Sequence, residues 1–186
     1  RLEAMLPALR GKLPVIARAE TIKTIQSAVT FAERQGLRLI IHGGHDAPLC
    51  AALLKKHKVP VILRSVYRLP RRRSEPYDYC FTLPLRLSEA GIPFAISGSP
   101  TTETAHMRNL PYHAAMAAAF GLDRDKALAA ITLAPAKILG VADRVGSLEK
   151  GKDATLFISD GHMFDTSSNV KQAFIQGREL DLSSRH

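Results

Sequence analysis

The chain has 186 residues, of which 46% are hydrophobic and 23% charged, with a net charge of +9 and two cysteines. This is enough apolar material for one core or two small domains, and too much for a disordered chain. No apolar run approaches the ~18 residues that suggest a membrane span. No secretory signal opens the sequence, and Cys50 and Cys80 are too few for a disulfide framework.

The first hundred residues alternate strand and helix signals. Residues 13–17 form a short apolar run, read as a buried strand. Ile22, Ile25, Val29 and Ala32 recur at helical spacing over residues 21–35, and Gly36 supplies a stop. A second strand covers 37–41 and runs into His42-Gly43-Gly44. Asp46 is expected to cap a helix whose inner face is Leu49, Leu53 and Leu54. A third strand covers 59–63, and a fourth covers 93–97. Between them Thr82 is expected to cap a helix to Ala90 with Gly91 as its stop. Strands starting near 14, 38, 59 and 93 suit βα units, and their continuous apolarity suits a parallel sheet covered on both faces. Four units make half of an eight-fold barrel; an open doubly wound sheet fits the same pattern.

Helical segments follow at 110–120, 124–131 and 132–139, with Asp123 and Thr132 as caps and Gly140 as the last stop. From Gly146 the pattern changes to two β strands, 153–159 and 170–176, joined by a turn-rich stretch. The domain boundary is expected between Val141 and Gly151, giving a unit of 1–145 and a smaller β unit of 146–186.

In a parallel barrel, chemistry sits at the C-terminal strand ends. Here those ends carry Arg18, His42, the stretch 64–68, and Ser97-Gly98-Ser99. His42, followed by two glycines, is a candidate ligand for a divalent metal. Carboxylates are scarce: Glu20 follows Arg18, and Asp46 reads as a cap. Three metal ligands cannot be assembled from these positions, and no residue is assigned as catalytic. The net positive charge is densest at Arg64, Arg68, Arg71, Arg72 and Arg73, with Tyr67, Tyr77 and Tyr79 nearby. A basic patch with aromatics is one signature of a nucleic-acid binder, but this one matches no named motif. A solvated loop, or a loop binding a small anion through arginine forks, accounts for it better. Arg18 and Arg68 are the candidate anion contacts.

Three stretches together resemble the amidohydrolase superfamily, in particular its imidazolonepropionase-like members. They are ALAAITLAPAKILG at 127–140, VGSLEKGKDATL at 145–156 and AFIQGR at 173–178. The resemblance extends over nearly the whole chain from Leu13. It implies the C-terminal half of a (β/α)8 TIM-like barrel, its fifth to eighth strands, followed by part of a small β-sandwich domain. It also implies hydrolysis of a non-peptide carbon–nitrogen bond in a small amide, often a cyclic one, by a metal-activated water, with zinc the expected metal. The family's fifth strand commonly ends in a metal-binding histidine, where this sequence has Arg18. The sixth ends in a second histidine, matched by His42. The eighth ends in an aspartate, where this sequence has Gly98, or Ser99 with a shift of one. These replacements imply an alternative: a degenerate, non-catalytic member that keeps the fold and binds a small anionic ligand. Half a barrel leaves strand edges open. The chain is therefore expected to need the preceding half of the same polypeptide, or to self-associate into a homo-oligomer.

Overall fold

The computed structural model describes residues 2–98 and 107–183. A 3-10 turn and the short helix α1 (Leu6–Leu9) lead into β1 (Val15–Ala19) and α2 (Ile22–Gln35). Next come β2 (Leu39–Gly43), α3 (Ala51–Lys56), β3 (Val61–Leu63), α4 (Tyr79–Glu89) and β4 (Phe94–Ile96). The four strands pair in parallel in the order β1-β2-β3-β4, the arrangement of half a (β/α)8 barrel. Helices α5 (Leu110–Ala119), α6 (Arg124–Ala129) and α7 (Leu133–Leu139) follow. A separate antiparallel sheet of β5 (Leu156–Ser159), β6 (Val170–Ile175) and β7 (Arg178–Glu179) ends the described chain. The fold is thus the partial barrel and small β sheet that the sequence predicts. β7, a two-residue strand after the Gln176-Gly177 turn, is an addition to that expectation.

Strand alternation divides the parallel sheet into two faces. Leu39, Ile41, Val61 and Leu63 face the helices and bury against Ile25, Val29, Leu54, Leu83 and Leu87. Ile40, Ile62 and Ala95 occupy the other face, where Ile138 of α7 covers them near the start of the strands. β1 lies at the sheet edge, so Ile16 and Arg18 remain exposed on that second face. A further cluster joins Ile96 and Val66 to Ala114 and Ala117 of α5, to Leu122 and Ala127, and to Phe164 from the β5–β6 connection. Among the described residues no helix is long and apolar enough to cross a membrane.

Local signals explain most helix ends. Thr21 and Thr24 form a reciprocal capping box at the start of α2, and Gly36 closes it with φ +62°. Thr21→Ala should therefore lower stability by roughly 1 kcal/mol, read as a shift in denaturant midpoint at unchanged slope.

Three local expectations are corrected. Asp46 does not cap the segment it precedes. Its carboxylate turns away and accepts from the backbone N–H of Ile22, at the start of α2. The segment after Asp46 opens as a 3-10 turn (Ala47–Cys50), which rotates Leu49 out to solvent while Leu54 stays buried. α4 begins at Tyr79, not at Thr82, whose hydroxyl instead donates back to the carbonyls of Asp78 and Tyr79. Thr132 likewise donates to the Leu128 carbonyl and provides no side-chain cap to α7.

Candidate functional site

Parallel register places Arg18 directly beside His42, with Ile62 and Ala95 continuing the same row across the sheet. Strand periodicity then puts Glu20, Arg64 and Ser97 one step further toward the C-terminal ends. Arg18 and His42 thus share the face and the end of the sheet where barrel sites form. Arg18 is exposed and has no ion-pair partner among the described residues.

Glu20 organises this end of the sheet. It is 9% exposed. Its Oε1 accepts from Arg64 Nη1 at 3.2 Å and from Arg68 Nη1 at 3.3 Å, and its Oε2 accepts from the backbone N–H of His45 at 3.2 Å. Arg68 also donates from Nε to the Ser65 carbonyl at 2.9 Å. Arg68 is thereby held at the strand ends and does not extend into solvent. Glu20 reaches this position because Gly43 has no side chain: a Cβ there would stand 2.8 Å from Glu20 Cδ.

Behind Glu20 lies a second network. His45 is fully buried and stacks on Tyr79 at 4.6 Å. Its Nε2 stands 3.1 Å from both oxygens of Glu75, which puts the proton on Nε2 because a carboxylate can only accept. Arg72 grips Asp46 with both ends of its fork, at 2.9 and 2.6 Å, and also meets Glu75 at 2.6 Å. Glu75 further accepts the backbone N–H groups of Arg71 and Arg72. Burial pushes the Glu75 carboxyl upward, but these hydrogen bonds, led by that of His45, outweigh it and bring its pKa down to about 2. The Arg72 guanidinium, against the opposing cost of burial, holds the Asp46 carboxyl below its ordinary value.

The arginine-rich loop is therefore strapped to the strand ends by Glu20, Asp46 and Glu75. Arg64 and Arg68 point into the fold, while Arg71, Arg72 and Arg73 are exposed, Arg72 being paired with Asp46 and Glu75 as well.

Half-buried His42 feels this arrangement directly. Burial lowers its pKa, Arg64 lowers it further, Glu20 opposes, and Arg18 and Arg68 add to the lowering. The imidazole is neutral at physiological pH. Beside Ser97 and Gly98 at the end of β4, an apolar hollow of about 320 Å³ is lined by Leu110, His113, Ile131 and Pro135. Ser99 lies outside the described residues. A larger cleft, about 620 Å³, opens at the opposite end of the strands beside Arg38, Lys58 and Lys137, away from this cluster.

The amidohydrolase family model matches residues 51–180. The chain belongs to the amidohydrolase family. It is 31% identical over 149 residues to an imidazolonepropionase of Mesorhizobium japonicum, covering 80% of this chain and 35% of that protein. A solved amidohydrolase from Thermotoga maritima superposes with a TM-score of 0.83 at 30% identity, covering 97% of this chain and 46% of that one. An adenosine deaminase from Xanthomonas campestris with bound zinc shares the fold, with a TM-score of 0.62 at 22% identity over 95% of this chain and 47% of that one. The chain thus spans less than half the length of each of these three proteins.

Members of this family generally use a divalent metal. The described residues of this amidohydrolase-family chain do not fit one. Arg18 takes the position in register with His42 and has no lone pair to offer. Three guanidiniums act on His42, which disfavours a dication beside it. The end of β4 offers Ser97 and Gly98 but no carboxylate. Ligand atoms of His45, Asp46 and Glu75 do lie within 4.8 Å of one another. The cation among them is already present, as the guanidinium of Arg72.

Of the sequence candidates Arg18, His42 and Arg68, the last is bonded to Glu20, and the first two stand in register on neighbouring strands. Sequence reasoning noted Glu20 without a role and passed over His45 and Glu75 as a pair. One signal for that pair was available: Glu75 is the single acidic residue within the stretch 64–77, which holds five arginines.

Proposed function

We propose that the full-length protein hydrolyses the carbon–nitrogen bond of a small open-chain or cyclic amide that carries an anionic group. In this reading the present chain supplies the anion-recognising side of the pocket, and the preceding half of the polypeptide completes the barrel. The observation that carries it is the position of Arg18: exposed, without an ion pair among the described residues, in register with His42, and at the end of the sheet where barrel enzymes place their chemistry. Arg68, with Arg64 beside it, provides further positive charge, and the apolar hollow beside Ser97 suits the uncharged part of such a substrate. The chain's own residues bind and orient the substrate. No proton transfer or water activation is assigned to them.

The test is steady-state kinetics of the full-length protein on carboxylate-bearing amides and lactams, compared with their neutral isosteres. Charged substrates should be preferred. Arg18→Ala should raise KM by roughly 10- to 100-fold with kcat little changed, the signature of lost uniform binding by one charged contact. Absence of turnover on every amide would overturn the hydrolase reading.

A second reading, a non-catalytic member that binds a small anionic ligand, is favoured by one observation. Two of the three strand ends that commonly carry metal-site residues in the active family are here Arg18 and Gly98, or Ser99 with a shift of one. Zinc analysis of the full-length protein separates the readings. Stoichiometric zinc, with activity lost in His42→Ala, would assign His42 as a ligand and dismiss the second.

A further inference from the structure

The guanidiniums at the strand ends are not saturated by the carboxylate that holds them. Arg64 and Arg68 share a single oxygen, Glu20 Oε1, each through one Nη1. Neither uses its fork on Glu20, whereas Arg72 engages Asp46 with both Nη atoms. The other oxygen of Glu20 accepts from the His45 amide. Arg64 Nε has no hydrogen-bond partner among the described residues, and Arg18 has no ion pair among them.

Charge tells the same story. The charged groups that act on His42 are Arg64, Glu20, Arg18 and Arg68. Among these four side chains three positive charges meet one negative, an excess of two. A guanidinium fork is matched by an acid group presenting two oxygens at once.

We infer that Arg18, Arg64 and Arg68, with Glu20 as a built-in counter-anion, form a pocket for a doubly negative acid group, a phosphate or a compact dicarboxylate. The inference rests on the reading that this strand end is the ligand site, and it narrows the anionic substrate to a dianion. Glu20 does two things in it. It holds two like charges side by side, and it sets the excess charge that the ligand must match. A singly charged carboxylate leaves one positive charge uncompensated in a partly desolvated place, where the mismatch costs more than it would in water.

Calorimetric titration of the full-length protein with inorganic phosphate, malonate and acetate, at fixed ionic strength and a pH where the first two are dianions, tests this. Phosphate or malonate should bind at least about tenfold more tightly than acetate, the value of one extra charged hydrogen bond. Arg18→Ala, at an exposed position that supports nothing else, should weaken dianion binding by about tenfold or more and acetate binding by less. Arg64→Lys keeps the charge but removes the fork, and should weaken the dianions as well. Equal affinity for acetate and the dianions, or dianion binding indifferent to Arg18→Ala, would overturn the inference. If amides are hydrolysed while that happens, the hydrolase reading survives alone. If arginine-dependent dianion binding is found and no amide is cleaved, the pocket stands and the hydrolase reading falls.

Discussion

Gly43→Ala should cost the protein roughly 2–5 kcal/mol, the sum of backbone strain and overpacking. Gly43 has φ +119°, which an L side chain rarely adopts, and the new Cβ would stand 2.8 Å from Glu20 Cδ and 3.0 Å from the Ala19 carbonyl oxygen. A flexible side chain can retreat, but a backbone carbonyl inside a paired strand cannot. Retreat of Glu20 would also release Arg64, Arg68 and the His45 amide together. Gly36→Ala is the control. Its φ is +62° with nothing within 4 Å of the added Cβ, so it isolates the left-handed strain alone, about 1–2 kcal/mol. Denaturant unfolding of the two full-length variants should therefore separate them. A Gly43→Ala loss no larger than that of Gly36→Ala would refute the close approach of Glu20.

Arg72→Met should be more destabilising than Asp46→Ala, although both break the same ion pair. Asp46→Ala leaves Arg72 44% exposed and still bound to Glu75. Its cost is that of the lost charged hydrogen bonds, roughly 1–3 kcal/mol. Arg72→Met leaves two neighbouring carboxylates facing each other, one of them fully buried, with the cation between them gone. The asymmetry should depend on pH in a definite direction. In the wild type, Glu75 is depressed from 4.5 to about 2 in the folded state. Its contribution is complete above the unfolded value and fades as pH falls from about 4.5 toward 2. In Arg72→Met both carboxyls lose the cation that lowers them, so acid should restore part of the deficit by protonating them. Chemical denaturation near neutrality and at mildly acidic pH measures this. A gap between the two variants that widens on acidification would contradict the assignment.

The fold was legible because its signals are local or periodic. Apolar strands recur at βα intervals, Gly36 and Gly140 stop their helices, and the stretch 127–156 carries the family pattern. The strap was not legible, because its pairings are long-range. Asp46 meets Arg72 across 26 positions, His45 meets Glu75 across 30, and Glu20 meets Arg68 across 48. An aspartate before an apolar helix reads as a cap on propensity alone; here a guanidinium competed for the carboxylate and won, and the freed segment opened as a 3-10 turn. Thr82 misled for a related reason. A hydroxyl three or four residues into a helix can bond back to the preceding carbonyls as readily as it can cap.

Phe164 gives the small sheet a mechanical role. It leaves the β5–β6 connection, is 8% exposed, shares a hollow with Ala115, Ala118 and Ala119 of α5, and carries Arg124 over its ring at 5.8 Å. The ring therefore fastens the small sheet's connection to the α5–α6 layer. A movement that lifts the small sheet must first draw Phe164 from that layer and wet its lining.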